Sequence, residues 1–387
     1  MVRVFSQDDS TKIKKEDIEV NFLSSYYWQS GVHSPVTGGR GTEELNNIAP
    51  AININIPIDS NKTLNLDGGI DFYSSASSDN INNPYLDPSH VSGASAKDER
   101  SYLTADYKVK KKKNEFGISA GTSLEWDVFS FSGGFSYSID AKDKNKGISI
   151  KSKYFYDNWK LIYPSELRFG TLEYLNTDKR HSVNTSLNGY MNLTRKLAAS
   201  LTFDFVVQSG LLSTPFHRVY FVDQTMPEIE MLPSQRLKYP VGLKLNYHIN
   251  EFLISKLFYR YYSDSWGLSG STFELEVPIK LSQTFRVYPF YRFHVQQGAK
   301  YFADYRVHQS TQEWYTSDYD LSTFTSNKYG VGISYSPLFG LFRFKYGKKK
   351  HKLAVVNQIS LRFAHYNRSD GLTADVFTLG LKAKFKQ

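Results

Sequence analysis

From Glu251 to Gln297 apolar and polar side chains alternate. Leu253, Leu257, Tyr259 and Tyr261 share one parity, with Lys256 and Arg260 on the other. Phe273, Leu275, Val277, Ile279 and Leu281 then alternate with Thr272, Glu274, Glu276 and Lys280. Phe285, Val287, Tyr291, Phe293 and Val295 alternate with Arg286, Arg292, His294 and Gln296. A period of two sustained this long predicts three β-strands, each with one apolar and one wet face. Neighbouring polar faces carry opposite charges. That suits a closed barrel, apolar outside and polar within.

The alternation recurs along the chain. It starts with Ile18, Val20, Phe22 and Tyr26, then Ile52–Ile56 and Leu64–Phe72, the last with Asp67 and Asp71 on its opposite face. Leu103–Val109, Phe116–Leu124, Phe129–Ile139, Ile148–Tyr156, Val183–Met191, Leu197–Phe205 and Val241–Tyr247 lead up to the Glu251–Gln297 stretch. Tyr329–Tyr335, Asn357–His365 and Phe377–Phe385 complete it. The total is about sixteen strands (roughly 14–18), and single-chain outer-membrane barrels have an even number. The runs exceed the roughly five or six residues of a sandwich strand and suit a tilted membrane strand.

Connection lengths alternate too. Short turns near Asn61, Lys112, Asn145, Arg195, Asn250 and Gln283 interleave with long loops around Gly39, Pro88, Leu172, Ile229 and Thr311. Short periplasmic turns and long extracellular loops mark such barrels, and the parity puts both termini in the periplasm. Lys160–Arg180 and Pro337–Lys352 read as connections. Pro278 and Pro289 fall inside strands and predict local bulges. Gly117, Gly121 and Gly134, with serines around them, leave room in the lumen or for a plug. The expected organisation is residues 1–16 as the remnant of an export signal of a secreted protein plus a flexible periplasmic leader, and residues 17–387 as one all-β, transmembrane, antiparallel up-and-down barrel.

Composition agrees. Aromatics make up 16% of the chain while mean hydropathy is −0.44, a combination that fits a wall with only one face in lipid. No run approaches the roughly 20 apolar residues of a membrane helix. There is no cysteine, which excludes disulfides, thiolate metal sites and haem attached through Cys-x-x-Cys-His. The net charge of +9 raises the question of nucleic acid. The lysines, however, cluster in turns at Lys110–Lys113, Lys142–Lys146 and Lys348–Lys352 and form no stripe, so nucleic acid is not an expected partner.

Several phrases carry a resemblance. They are Phe72-Tyr73-Ser74-Ser75-Ala76-Ser77, Ser92-Gly93-Ala94-Ser95, Leu212-Ser213-Thr214-Pro215-Phe216-His217-Arg218-Val219-Tyr220, Tyr259-Arg260-Tyr261-Tyr262-Ser263-Asp264-Ser265-Trp266-Gly267, Tyr288-Pro289-Phe290-Tyr291-Arg292-Phe293 and Tyr315-Thr316-Ser317-Asp318-Tyr319-Asp320-Leu321. With them the chain, over nearly all its length beyond residue 17, resembles a Gram-negative outer-membrane barrel family classified only as a domain of unknown function. Its composition resembles Bacteroidota members. The resemblance implies a barrel in the cell outer membrane, among lipid and lipopolysaccharide, inserted by the barrel-assembly machinery. It implies no established activity and no cofactor. Genes of the family tend to sit beside a thioredoxin-like protein, a small lipoprotein and a flavin transferase. A lipoprotein or periplasmic thioredoxin-like partner, and redox or flavinylation traffic, are implied by that association alone. Phe385 resembles the aromatic end of a barrel-assembly signal, although Lys386 and Gln387 follow it.

The candidate site residues form three groups. The first is a lumenal charge ladder of Arg260, Glu274, Glu276, Arg286, Arg292 and His294. A turn at Ser282-Gln283-Thr284 sets Glu274 opposite Arg292, Thr272 opposite His294 and Pro278 opposite Tyr288, with Arg260 in reach of Glu274. The ladder reads as bracing of the wall, or as a pore constriction or anion site. The second group is in outer loops: His217 and Arg218, in a segment expected to fold back and close the mouth, and Asp264 and Trp266. The third is Asp318 and Asp320, with Asp304 upstream, as oxygen ligands for Ca²⁺ without EF-hand spacing. A Ser271–His294 pair is the catalytic arrangement the sequence offers, and the expectation is a protein that is not an enzyme. The expected function is a narrow, porin-like channel or transporter for small hydrophilic solutes. The alternative is a structural or assembly subunit of an outer-membrane complex, linked to periplasmic redox or flavinylation partners.

Overall fold

A computed structural model describes residues 17–76, 98–167, 176–347 and 352–386. The leader at 1–16, the loop centres at Pro88 and Leu172, the Ser92–Ser95 phrase and the Lys348–Lys350 run lie outside these residues. Sixteen antiparallel staves close into one barrel. They are β1 (Ile18–Ser30), β2 (Glu44–Asp59), β3 (Lys62–Ala76), β4 (Asp98–Lys111), β5 (Asn114–Leu124), β6 (Val128–Asp140), β7 (Lys146–Lys160) and β8 (Thr177–Asn192). β9 (Leu197–Gly210) precedes β10, made of Gln235–Lys238 and Val241–His248. β11 (Ile254–Ser263) and β12 (Ser269–Glu276 with Ile279–Lys280) follow. Then come β13 (Phe285–Gln297), β14 (Phe324–Tyr335 with Phe342–Tyr346), β15 (Lys352–Arg368) and β16 (Thr373–Phe385). β1 pairs with β16 from Ile18↔Phe385 to Ser30↔Thr373, so the ring has no open edge.

The period of two becomes two faces. Ile118 is 66% exposed, and Phe135, Leu201 and Ile148 are comparably bare, all pointing outward. Such an apolar skin on a closed barrel belongs against lipid tails. Tyr26 and Trp28 are exposed near the long-loop end of β1. Phe344 and Tyr346 pack edge-on against Phe385 at the other end. These are the aromatic girdles of an outer-membrane barrel. No helix among the described residues is long and apolar enough to cross a membrane; strands do the crossing.

Prolines interrupt the wall without bending its register. Glu276 faces Phe290 and Ile279 faces Val287, so the count is unchanged across Val277–Pro278. The bulges expected at Pro278 and Pro289 are therefore absent. The ladder misses rungs there, but neighbours supply others: Val277 N–H donates to Pro289 O and Ile254 N–H donates to Pro278 O. Pro240 splits β10 the same way. The register does shift between Pro57 and Asp59 and between Val356 and Gln358.

Two connections are shorter than the sequence suggested. Phe342–Tyr346, inside the expected Pro337–Lys352 connection, pairs with Lys352–Val356 and prolongs β14. Strand pairing likewise extends into the expected Lys160–Arg180 loop, to Lys160↔Thr177. Charged residues alternate with apolar ones in Phe342–Tyr346, while Thr177–Arg180 is polar throughout, and both mimic loop composition.

Candidate functional site

The inner face is polar along its length. On β1–β3 it carries Asn21, Asn53, Asn55, Asn65 and Asp67; on β5 and β6 it carries glycines and serines. Two water-accessible spaces open from it. One, of about 630 Å³, lies beneath the long-loop end and is lined by Arg100, Asp157, Arg180, Lys238, Arg260 and Tyr262 among others. The second, about 620 Å³, lies toward the short turns and is lined by Asn53, Asn65, Asp106, Lys108, Ser136 and Lys151 among others.

The charge ladder lies on this inner face, with one partner changed. Glu274 sits opposite Arg292 and binds it through Nη2 at 2.5 Å and Nε at 2.6 Å. Thr272 sits opposite His294, with Oγ1 2.8 Å from Nδ1. Arg260 does not pair with Glu274; it lies across from Gly242 and Thr272, and the carboxylate is already taken by Arg292. Glu276 bridges Lys256 at 2.9 Å and Arg362 at 3.0 Å, which ties β11 to β15 across the intervening staves. Arg362 also lies 3.8 Å over the Phe290 ring. Arg286 faces Lys280 and Ser334. Phe290 and Tyr288 can lie along the wall because β14 has glycine beside each. A Cβ at Gly332 would run into the Tyr288 ring. Ser271 and His294 are on opposite faces of the wall. Ser271 Oγ meets the outward Tyr259 hydroxyl at 3.2 Å, so the catalytic pair does not form.

The mouth is spanned by loops held together from below the surface. Arg218, in the 211–234 connection, is 2% exposed. Its Nε donates to Glu166 Oε1 at 2.5 Å and its Nη2 to Glu166 Oε2 at 3.1 Å; Glu166 belongs to the loop between β7 and β8. Its Nη1 donates to Val36 O at 2.5 Å, in the loop between β1 and β2. Its own carbonyl accepts from Ser317 Oγ at 2.7 Å, in the loop between β13 and β14. One residue thus joins four loops rooted on widely separated staves, so the 211–234 connection must lie across the opening. A bidentate, charge-assisted pair is what a buried guanidinium needs.

Around this clasp the loops build a small core. Phe221, Val219 and Tyr315 are buried together, with Phe221 and Tyr315 edge-to-face at 4.8 Å. Arg218–Val219 pairs with Glu228–Ile229 as a two-rung hairpin. Glu230 is buried and accepts from Thr214 N at 2.6 Å and from Thr316 Oγ1, and His217 Nδ1 lies 3.4 Å from it. Gly38, at φ 80°, passes so close that a Cβ would meet the Tyr220 ring at 2.5 Å. Burial acts on His217 to lower its pKa, but the Glu230 carboxylate outweighs it and the net shift is upward. Burial raises Asp318 to about 6, with Asp320 adding to the rise and His217 opposing it. Burial raises Glu43 to about 7, with Asp320 adding and Arg368 opposing.

Asp264 and Trp266 anchor the loop between β11 and β12. Asp264 takes Arg236 at 2.5 Å, the Tyr262 hydroxyl at 2.8 Å and the N–H groups of Trp266 and Leu268. Trp266 is buried with Leu232, Leu268 and Ala299, under the Arg236 guanidinium at 4.1 Å. The acids of the Ca²⁺ expectation, Asp318, Asp320 and Asp304, each have other partners. Asp318 caps a short 3₁₀ turn through Asp320 N, Asp320 pairs with Arg368 at 2.5 Å, and Asp304 accepts from the Tyr319 hydroxyl. Among the described residues no group of three or more His, Asp or Glu is placed to hold a metal ion.

Glu166, Glu230, Thr316, Arg362 and Arg368 complete these arrangements and were not singled out in the sequence. Arg362 and Arg368 share the inward parity of β15, which was readable. The loop residues carry no such periodicity.

Comparison with known proteins adds the family. Among solved structures, a bacterial polysaccharide outer membrane secretin is 9% identical, with 96% of this chain and 99% of that one covered and a TM-score of 0.48. A TodX deletion mutant, a monoaromatic hydrocarbon channel, is 8% identical over 97% and 92%, at 0.39. The siderophore receptor PirA from Pseudomonas aeruginosa is 10% identical over 90% of this chain, at 0.43, and the chain spans 56% of that receptor's length. No curated protein matches. The family model described as Protein of unknown function (DUF3570) matches residues 75–370. The chain is an outer-membrane β-barrel and belongs to that family.

Proposed function

We propose that the barrel is a gated passage for small hydrophilic solutes, with the 211–234 loop as its outer lid. The observation that carries this reading is the polar inner face with its two spaces of about 630 and 620 Å³, lying under loops clasped by Arg218. A barrel serving only as a membrane anchor gains nothing from a lumen lined by hydroxyls, amides and charged groups, because filling it with apolar side chains would stabilise it more. The reading needs no catalytic residue. The clasped mouth is also what a structural subunit of an outer-membrane complex would show, so the test must separate the two. Proteoliposomes carrying the purified barrel should swell in isosmotic solutions of small uncharged sugars, faster for smaller sugars. Swelling no faster than in protein-free liposomes, for the native barrel and for Arg218→Ala alike, would reject the passage and favour the structural subunit.

A further inference from the structure

The lumenal charges are not evenly spread around the ring. Among the described residues of β10–β15 the inward carboxylates are Glu274 and Glu276. Glu274 is taken by Arg292, and Glu276 by Lys256 and Arg362. Further inward cations are left over. Lys280 and Arg286 stand directly opposite one another on β12 and β13. Lys328 on β14 stands directly opposite Arg292, whose single carboxylate partner Glu274 leaves Lys328 unmatched in register. Like charges directly opposite destabilise a sheet, so two such pairs on adjoining staves are costly to the fold itself. Arg260 faces Gly242 and Thr272, and its guanidinium is exposed to the lumen at the wall of the larger space.

Half the ring away, the inward charges of β3 and β4 nearly balance: Asp67, Asp71 and Asp106 share the face with Arg100, Lys108 and Lys110, with Asp71 directly opposite Arg100 and Lys108 paired with Glu115. Asp67 lies between Asn53 and Thr104, and Asp106 between Asn65 and Ser119. Neither has a cation beside it in register. The lumen therefore has a nearly balanced wall on one side and an excess of guanidinium and ammonium groups on the other. Low-dielectric walls focus such a field across the water between them. A dissolved anion gains by following the β11–β14 wall, where the excess cations can exchange partners along its path, while a cation of similar size meets a net repulsive sector.

We propose, resting on the passage reading, that the lumen selects small anions, those bearing carboxylate or phosphate groups, and conducts them along the Arg260, Arg286, Arg292 and Lys328 face. Arginine and lysine suit both groups: the fork binds two oxygens and the ammonium acts as a mobile point charge.

The test is the reversal potential of the purified barrel in a planar bilayer under a potassium chloride gradient. Its sign should show chloride preferred over potassium, by about threefold or more. Inorganic phosphate added to one side should reduce the chloride current by occupying the same face. Arg260→Gln combined with Lys328→Gln should move the reversal potential toward zero while leaving the heat-modifiable mobility of the barrel intact. Conductance with a reversal potential at zero or on the potassium side overturns the anion inference and leaves the passage reading standing. The same holds for a preference that the two substitutions do not change. A barrel silent both as the native protein and as Arg218→Ala overturns the passage reading and this inference with it.

Discussion

Arg218 and the acids near it show why the lid should respond to pH. A carboxyl group whose folded pKa is raised favours the folded state while protonated, and that preference is lost as pH climbs through the raised value. This applies to Asp318, at about 6, and Glu43, at about 7. A histidine whose pKa is raised stabilises the fold below its ordinary value and loses that contribution as pH rises through the folded one. This applies to His217, which faces Glu230, Asp318 and Asp320. The three signs agree. The lid is tightest in mildly acidic solution and loosens as pH rises from about 5 to about 8. Chymotryptic cleavage in the 211–234 loop, corrected for the protease's own pH profile, should be several-fold faster at about pH 8 than at about pH 6. A flat or inverted profile would contradict this account of the lid. At this scale the sequence was partly legible. His217 and Arg218 could be read as part of a segment folding over the mouth. Their partners could not, because Arg218 and Val36 are 182 residues apart and nothing periodic links them.

At the scale of elements, alternation carried most of the information. Strand order, the Glu274–Arg292 register and the inward parity of Arg362 all follow from a period of two with short turns. Two features did not. Prolines at 278 and 289 suggested bulges, yet neighbouring staves supplied enough hydrogen bonds to hold the register. Arg260 was expected to share Glu274, but a cross-strand rung is shorter than the diagonal and Arg292 took it. The ladder's bracing role now points to Glu276, which holds two cations from β11 and β15, where Glu274 holds one. Glu276→Ala should lower the heat-modification midpoint of the detergent-solubilised barrel more than Glu274→Ala does. The expected cost is about 1–3 kcal/mol for Glu276, discounted because Lys256 and Arg362 are partly in water, and about 1 kcal/mol or less for Glu274. Equal midpoints for the two variants would count against bracing by Glu276.

The whole molecule is a wall with two solvents. Lipid meets the aromatic and aliphatic outer face, water meets the inner one, and the β1–β16 pairing removes the edge that an open sheet would expose. Composition gave the class of wall, because high aromatic content with negative mean hydropathy suits a sheet that keeps one face in lipid and the other in water. It gave neither the closure of the mouth nor the gathering of cations on the β11–β14 wall, since both depend on which staves stand together in the ring. The account's central claim is that the lumen is a passage and the Arg218 clasp its closure. Single-barrel current recordings test that claim most directly, comparing the native protein with Arg218→Ala at the same voltage and salt. The account predicts that Arg218→Ala opens more often, or to a larger conductance, than the native barrel. Indistinguishable traces, or no current from either, would contradict it.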